Sequence, residues 1–95
     1  MSKFSSGRYL SSNGYETTTV ASKEIIPPSP SNWTYGYIFK KFSFINETDC
    51  TVIINNEFTL HLIGGIGFEI DRNDVSIHSF VIVESGTRYY WIGAV

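Results

Sequence analysis

Cys50-Thr51-Val52-Ile53-Ile54-Asn55-Asn56-Glu57-Phe58-Thr59-Leu60-His61-Leu62 carries the clearest pattern in the chain. β-Branched residues crowd its first half, and in its second half Phe58, Leu60 and Leu62 alternate with Thr59 and His61. A period of two sets one face of a strand on a core and the other in solvent. Asn56-Glu57 between the two runs supplies a tight turn, so the stretch reads as a β-hairpin with strands Cys50–Asn55 and Phe58–Leu62.

The same character continues on both sides. Upstream, Tyr35-Gly36-Tyr37-Ile38-Phe39-Lys40-Lys41-Phe42-Ser43-Phe44-Ile45 is aromatic and β-branched, fit for one or two strands, and Asn46-Glu47-Thr48-Asp49 is a turn cluster. Downstream, Gly64, Gly65 and Gly67 predict a bend or a close backbone approach; they match no phosphate-loop spacing. Phe68-Glu69-Ile70 is a short strand and Asp71-Arg72-Asn73-Asp74 a turn. Val75 to Glu84 reads as one long strand with apolar residues on both faces, which implies that part of it is covered twice. Ser85-Gly86 turns the chain into Thr87–Val95. Turns spaced by about 8 to 12 residues predict an all-β fold, a small antiparallel β-sandwich or jelly-roll-like barrel over residues 35–95.

Residues 1–34 lack that pattern. They are rich in Ser, Thr, Asn and Gly and end in Pro27-Pro28-Ser29-Pro30, a hinge of fixed φ angles. The reading is an extended N-terminal arm outside the domain. Arg8-Tyr9-Leu10 and Tyr15 to Val20 are able to pair around Asn13-Gly14 as a hairpin once a partner surface orders them. Tyr9, Leu10, Tyr15, Val20, Ile25, Ile26, Trp33, Tyr35 and Tyr37 are the candidate partner-binding residues, reaching a neighbouring subunit by strand addition. With the arm outside, a folded unit of about 60 residues buries roughly 60 % of its unfolded surface. So light a core predicts a homo-oligomer, a trimer being one form.

Composition narrows the function classes. The net charge is −2, and Lys3, Arg8, Lys23, Lys40, Lys41, Arg72 and Arg88 are scattered, so no basic field marks a nucleic-acid partner. Charged residues make up only 17 % and aromatics 16 %, a balance that favours extensive protein contact. No apolar run approaches a membrane span and the amino terminus lacks a secretory h-region, so the expectation is synthesis in a reducing cytosol with no membrane partner. Cys50 is the single cysteine and lies in an apolar strand, the setting of an inert buried thiol.

Chemistry has few candidates. His61, Glu69 and His78 are the residues a small cupin-like enzyme would use for a metal, but no His-x-His or His-x-Asp pair sets two ligands on one strand face. No Gly-x-Ser-x-Gly elbow is present, and Cys50 has no histidine within its strand. The reading is of a non-enzyme without cofactor. Trp33-Thr34-Tyr35-Gly36-Tyr37 and Tyr89-Tyr90-Trp91 offer either a stacking platform for sugars or large side chains for a small core, and packing is the favoured role.

Ser43-Phe44-Ile45-Asn46, Thr51 to Asn56, Gly67-Phe68-Glu69-Ile70, Asn73-Asp74, Ile77 to Glu84 and Tyr89-Tyr90-Trp91-Ile92-Gly93 together resemble small β-sandwich modules of tailed-bacteriophage virion proteins. The resemblance covers about the last 55 residues and implies a structural component of the particle: a capsid decoration, head-fibre, collar or tail subunit. It further implies other virion proteins as partners, the virion as location, and an arm that laces onto neighbours. A carbohydrate-binding module built on the aromatics is the alternative.

Overall fold

The computed structural model describes residues 9–12, 14–28, 36–70 and 75–95. They form nine strands in two antiparallel sheets: β1 (Tyr9–Ser11), β2 (Glu16–Thr17), β3 (Lys23–Glu24), β4 (Lys41–Asn46), β5 (Cys50–Ile54), β6 (Phe58–Leu62), β7 (Phe68–Ile70), β8 (Phe80–Ile82) and β9 (Arg88–Ala94). The five-stranded sheet runs β1-β9-β4-β7 with β2 also on β9, and the four-stranded sheet runs β3-β8-β5-β6. The expected all-β sandwich is the observed fold.

The decisive hairpin forms, with its turn entered one residue earlier than expected: β5 ends at Ile54, and Asn55 joins Asn56 and Glu57 in the turn. β5 pairs with β6 from Ile54↔Phe58 to Cys50↔Leu62. Asn55 and Asn56 turn the chain with φ of 56° and 57°, a left-handed conformation that asparagine tolerates better than other side chains do. Cys50, Val52 and Ile54 point inward and are buried. Across the sandwich, Phe42 and Phe44 of β4 and Tyr89 and Trp91 of β9 face them, all at most 3 % exposed. The rings interlock. Phe80 lies 5.0 Å from Phe42 and 4.7 Å from Phe44, and Trp91 stacks on Phe42 at 5.6 Å while meeting Phe39 edge-on at 5.5 Å. Such geometries add to the area these rings bury.

Phe39 reaches this cluster because Gly93 has no side chain; a Cβ there would sit 2.5 Å from the Phe39 ring. Gly67 confirms the expected close approach. Its φ is 80°, and a Cβ would lie 2.5 Å from the Phe44 carbonyl oxygen.

The free arm is corrected for residues 9–28. β1 and β2 both pair with β9, and β3 pairs with β8, so this segment supplies an edge to each sheet. The hairpin around Asn13-Gly14 is corrected with it: Tyr9–Ser11 and Glu16–Thr17 lie end to end along β9 rather than against one another. Four residues separate Ser11 from Glu16, but only two separate their partners Ile92 and Tyr89, so a two-residue bulge sits between β1 and β2. The chain then crosses to the other sheet. The Ser22 N–H donates to Val83 and the Ile25 N–H to Phe80, and Ile25 and Ile26 enter the core at 7 % and 9 % exposure. The proposed boundary at residue 34 and the end of the proline hinge lie outside the described residues.

The long strand over Val75–Glu84 is a second correction. Phe39 and Ile77 form an isolated bridge, the chain bends at His78, and β8 covers only Phe80–Ile82. Asn55 holds the break: its Oδ1 accepts the N–H of His78 at 2.8 Å and of Ser79 at 3.2 Å, and its Nδ2 donates to the Ser76 carbonyl at 2.8 Å. The bend shifts the phase between Ile77 and Phe80, so both are buried in the one core and no second cover is needed.

Candidate interaction surface

Alternation that sends Phe42, Phe44, Tyr89 and Trp91 inward sends Lys41, Ser43, Ile45, Arg88, Tyr90 and Ile92 outward, onto the outer face of the five-stranded sheet. Register puts these side chains in rows. Tyr9 and Lys41 flank Ala94; Ser43 lies between Ile92 and Glu69; Ile45 lies opposite Tyr90. The bulge between β1 and β2 sets the Tyr15 ring 6.0 Å from Tyr90, and the Arg88 guanidinium covers Tyr15 at 4.7 Å, a cation–π contact. Arg88 also pairs with Glu47 at 3.3 Å.

The result is an apolar and aromatic band of Tyr9, Ile92, Tyr90, Tyr15 and Ile45 on a face open to solvent. Tyr9 is 76 % exposed, Tyr15 48 %, Ile45 40 % and Ile92 37 %. A shallow depression of about 310 Å³ lies beside it, where Tyr9, Lys41, Ser43, Glu69 and Ile92 meet. The outer face of the four-stranded sheet differs. Ile53, Val81 and Val83 there are only partly exposed, beside Thr51, Thr59 and His61.

The candidate partner residues scatter. Tyr9, Tyr15 and Val20 are exposed; Leu10 and Tyr37 pack partly against the core. Ile25 and Ile26 are buried and unavailable to a partner, because they close the core beneath the crossover. Trp33 and Tyr35 lie outside the described residues. Ile45 and Ile92 are not among the residues the sequence marks, and Tyr90 is marked only within the aromatic group Tyr89-Tyr90-Trp91, although the same period that places Trp91 inside places its neighbours outside. Tyr89 and Trp91 do share a face, but it is the core face, so the platform reading fails for them and the packing reading holds.

His61, Glu69 and His78 do not converge. His61 faces Thr51 on the outside of the four-stranded sheet, its Nδ1 3.2 Å from the Thr51 hydroxyl, while Glu69 lies beside Ser43 on the outside of the other. Among the described residues no three His, Cys, Asp or Glu side chains are grouped to hold a metal ion.

The polar cleft over Asp49, Cys50, Thr51, His61 and Glu84 is tuned for structure. Partial burial alone would raise the Glu84 carboxyl, but the Thr51 N–H donating to it at 2.7 Å, with help from His61, holds it below the ordinary carboxylate range. Burial, then the charges of Glu84 and Asp49, push the Cys50 thiol up to about 11, so it stays protonated and a poor nucleophile at neutral pH.

No protein-family profile, no curated protein and no solved structure matches this chain.

Proposed function

We propose that the protein is a non-enzymatic structural subunit of a tailed-bacteriophage particle, a capsid decoration, head-fibre, collar or tail component, seated on neighbouring subunits by the outer face of its five-stranded sheet. The observation that carries the docking mode is the band of Tyr9, Tyr15, Ile45, Tyr90 and Ile92 on a sheet face whose other side is already the core. Apolar and aromatic side chains gathered on one face, with charges at its margin, have the make-up of an interface. The particle setting comes from the resemblance of residues 43–93. Attachment by a free arm no longer supports the reading, since residues 9–28 pair within their own sandwich.

Mass spectrometry of purified particles tests it. The protein is expected at a fixed ratio to the major capsid or tail protein, and Ile45→Glu with Ile92→Glu, both on exposed positions, is expected to fold normally and be lost from particles. Particles that lack the wild-type protein while it accumulates free in the cell would overturn the proposal.

A second reading uses the same face. Tyr15 and Tyr90, with the depression beside Tyr9, Lys41, Ser43 and Glu69, provide rings and polar groups for a sugar. Glycan-array binding that Tyr90→Ala removes without unfolding the protein would favour it.

A further inference from the structure

Among the described residues four strand edges bound this sandwich, and three are guarded. The β1–β2 edge carries the two-residue bulge, with Gly14 at φ 73°. The β7 edge is three residues long with a central glutamate, and the β3 edge is Lys23-Glu24 followed by Pro27-Pro28. Bulges, charge, proline and brevity are the devices that keep edges from pairing with other chains. β6 has none of them. It is Phe58-Thr59-Leu60-His61-Leu62, five residues in unbroken register with β5, without lysine, proline, glycine or bulge.

The direction of its free backbone groups follows from β5. The Thr51 N–H goes to Glu84 and the Thr51 carbonyl accepts from Val83, while the Asn55 N–H goes to Ser79. The odd-numbered residues of β5 therefore aim their backbone at the β8 side. In an antiparallel ladder, directly opposed residues either both face each other or both face away. Thr59, opposite Ile53, and His61, opposite Thr51, thus point N–H and C=O off the sheet. Among the described residues no strand pairs with that side of β6.

These outward groups are symmetric about Leu60. We propose that β6 pairs antiparallel with β6 of a second copy about a two-fold axis at Leu60, joining two four-stranded sheets into one of eight strands. Thr59 meets His61 of the other copy and His61 meets Thr59, and each pair exchanges two hydrogen bonds, so every outward group of the strand is satisfied by its own counterpart. No like charges are opposed, because His61 faces a threonine. Leu60 meets its own copy in a non-hydrogen-bonded pair. Phe58, Leu60 and Leu62 of both copies fall on one face, beside an apolar groove of about 360 Å³ lined by Ile54, Phe58, Leu60, Phe68, Ile70 and Val75. Phe58 and Val75, 47 % and 64 % exposed in the single chain, gain cover where the two grooves meet. The contact lies on the sheet that the proposed docking face does not use, so it stands independently of that reading.

Light scattering of the full chain over micromolar to submillimolar concentrations tests the pairing. The expected species is a dimer of the 10.7 kDa chain. Thr59→Lys with His61→Lys, both exposed, opposes lysines at the two paired positions and is expected to weaken dimerisation at least about tenfold while the thermal melt of the fold persists. Leu60→Cys is expected to cross-link two copies on mild oxidation, where the wild type with Cys50 alone does not. A wild type that stays monomeric throughout, a double variant that dimerises as tightly as the wild type, or a dimer in which Leu60→Cys fails to cross-link would each overturn the proposal.

Discussion

Residues 9–28 and residues 36–95 lie in one sandwich but are held by different forces. The later region is built on rings: Phe39, Phe42, Phe44, Phe80, Tyr89 and Trp91 pack at centroid distances of 4.7 to 6.0 Å. The earlier region contributes only Ile25 and Ile26 to the buried hydrophobic core, with Leu10 partly buried against it. It is fastened by polar groups instead. The Ser12 hydroxyl accepts the Trp91 N–H and donates to the Gly14 carbonyl; the Thr18 hydroxyl accepts the Thr87 N–H and donates to the Glu84 carbonyl. The Glu24 carboxylate accepts the Ser79 hydroxyl and the N–H groups of Phe80 and Ile26. Ser12 and Thr18 are 7 % and 3 % exposed, so these polar side chains are buried just beyond the ends of β1 and β2. A segment without an apolar stripe is thus able to be structural when its backbone finds two open edges and its buried polar atoms are paired.

Removing the earlier region is the harshest way to break this comparison. A chain of residues 29–95 loses the burial of Ile25 and Ile26, worth about 1.5–3 kcal/mol each, and uncovers the edges of β8 and β9. It is expected to show no cooperative thermal transition by near-ultraviolet circular dichroism. A free-arm molecule would instead keep its melt. In the later region, Trp91→Ala is expected to cost about 3–5 kcal/mol in denaturant unfolding, because it empties a site between Phe39 and Phe42.

Glu24→Gln sharpens the polar side of the contrast. It removes a charge that gathers three donors and is expected to cost about 1–3 kcal/mol, with exposed Lys23→Gln next to it within about 0.5 kcal/mol of wild type. The smallest effect is alkaline. Cys50 binds its proton more tightly folded than unfolded, so its stabilising contribution is complete below its ordinary value of 9.0 and is lost as pH rises through about 11. Cys50→Ala is expected to flatten that part of the stability–pH curve, and iodoacetamide at pH 8 is expected to label the native thiol far more slowly than the denatured one.

Much of the later region is legible in residue order. The β5–β6 hairpin and the turn at Gly86, with φ 78°, follow from alternation and turn chemistry, although the hairpin turn takes in Asn55 as well as the expected Asn56-Glu57. The break at His78 does not, because it is made by Asn55 from across the sheet. The earlier region is illegible for a related reason. Its inward positions are Ser12 and Thr18, whose role depends on Trp91 and Thr87, partners 79 and 69 residues away. The interaction face is half legible: period two pairs Ile45 with Tyr90 and Ile92 as one set and Phe44 with Trp91 as another, but which set meets the core is decided by the opposite sheet.

Amide hydrogen exchange on the free, full-length protein tests the central contrast most directly. Protection of the Ser12, Thr18, Ser22 and Ile25 amides, comparable with those of β9, is the predicted result, since each donates to β8, β9 or the turn between them. Exchange of those four amides at unprotected rates while β4, β5 and β9 stay protected would contradict the account and restore a detached leading segment.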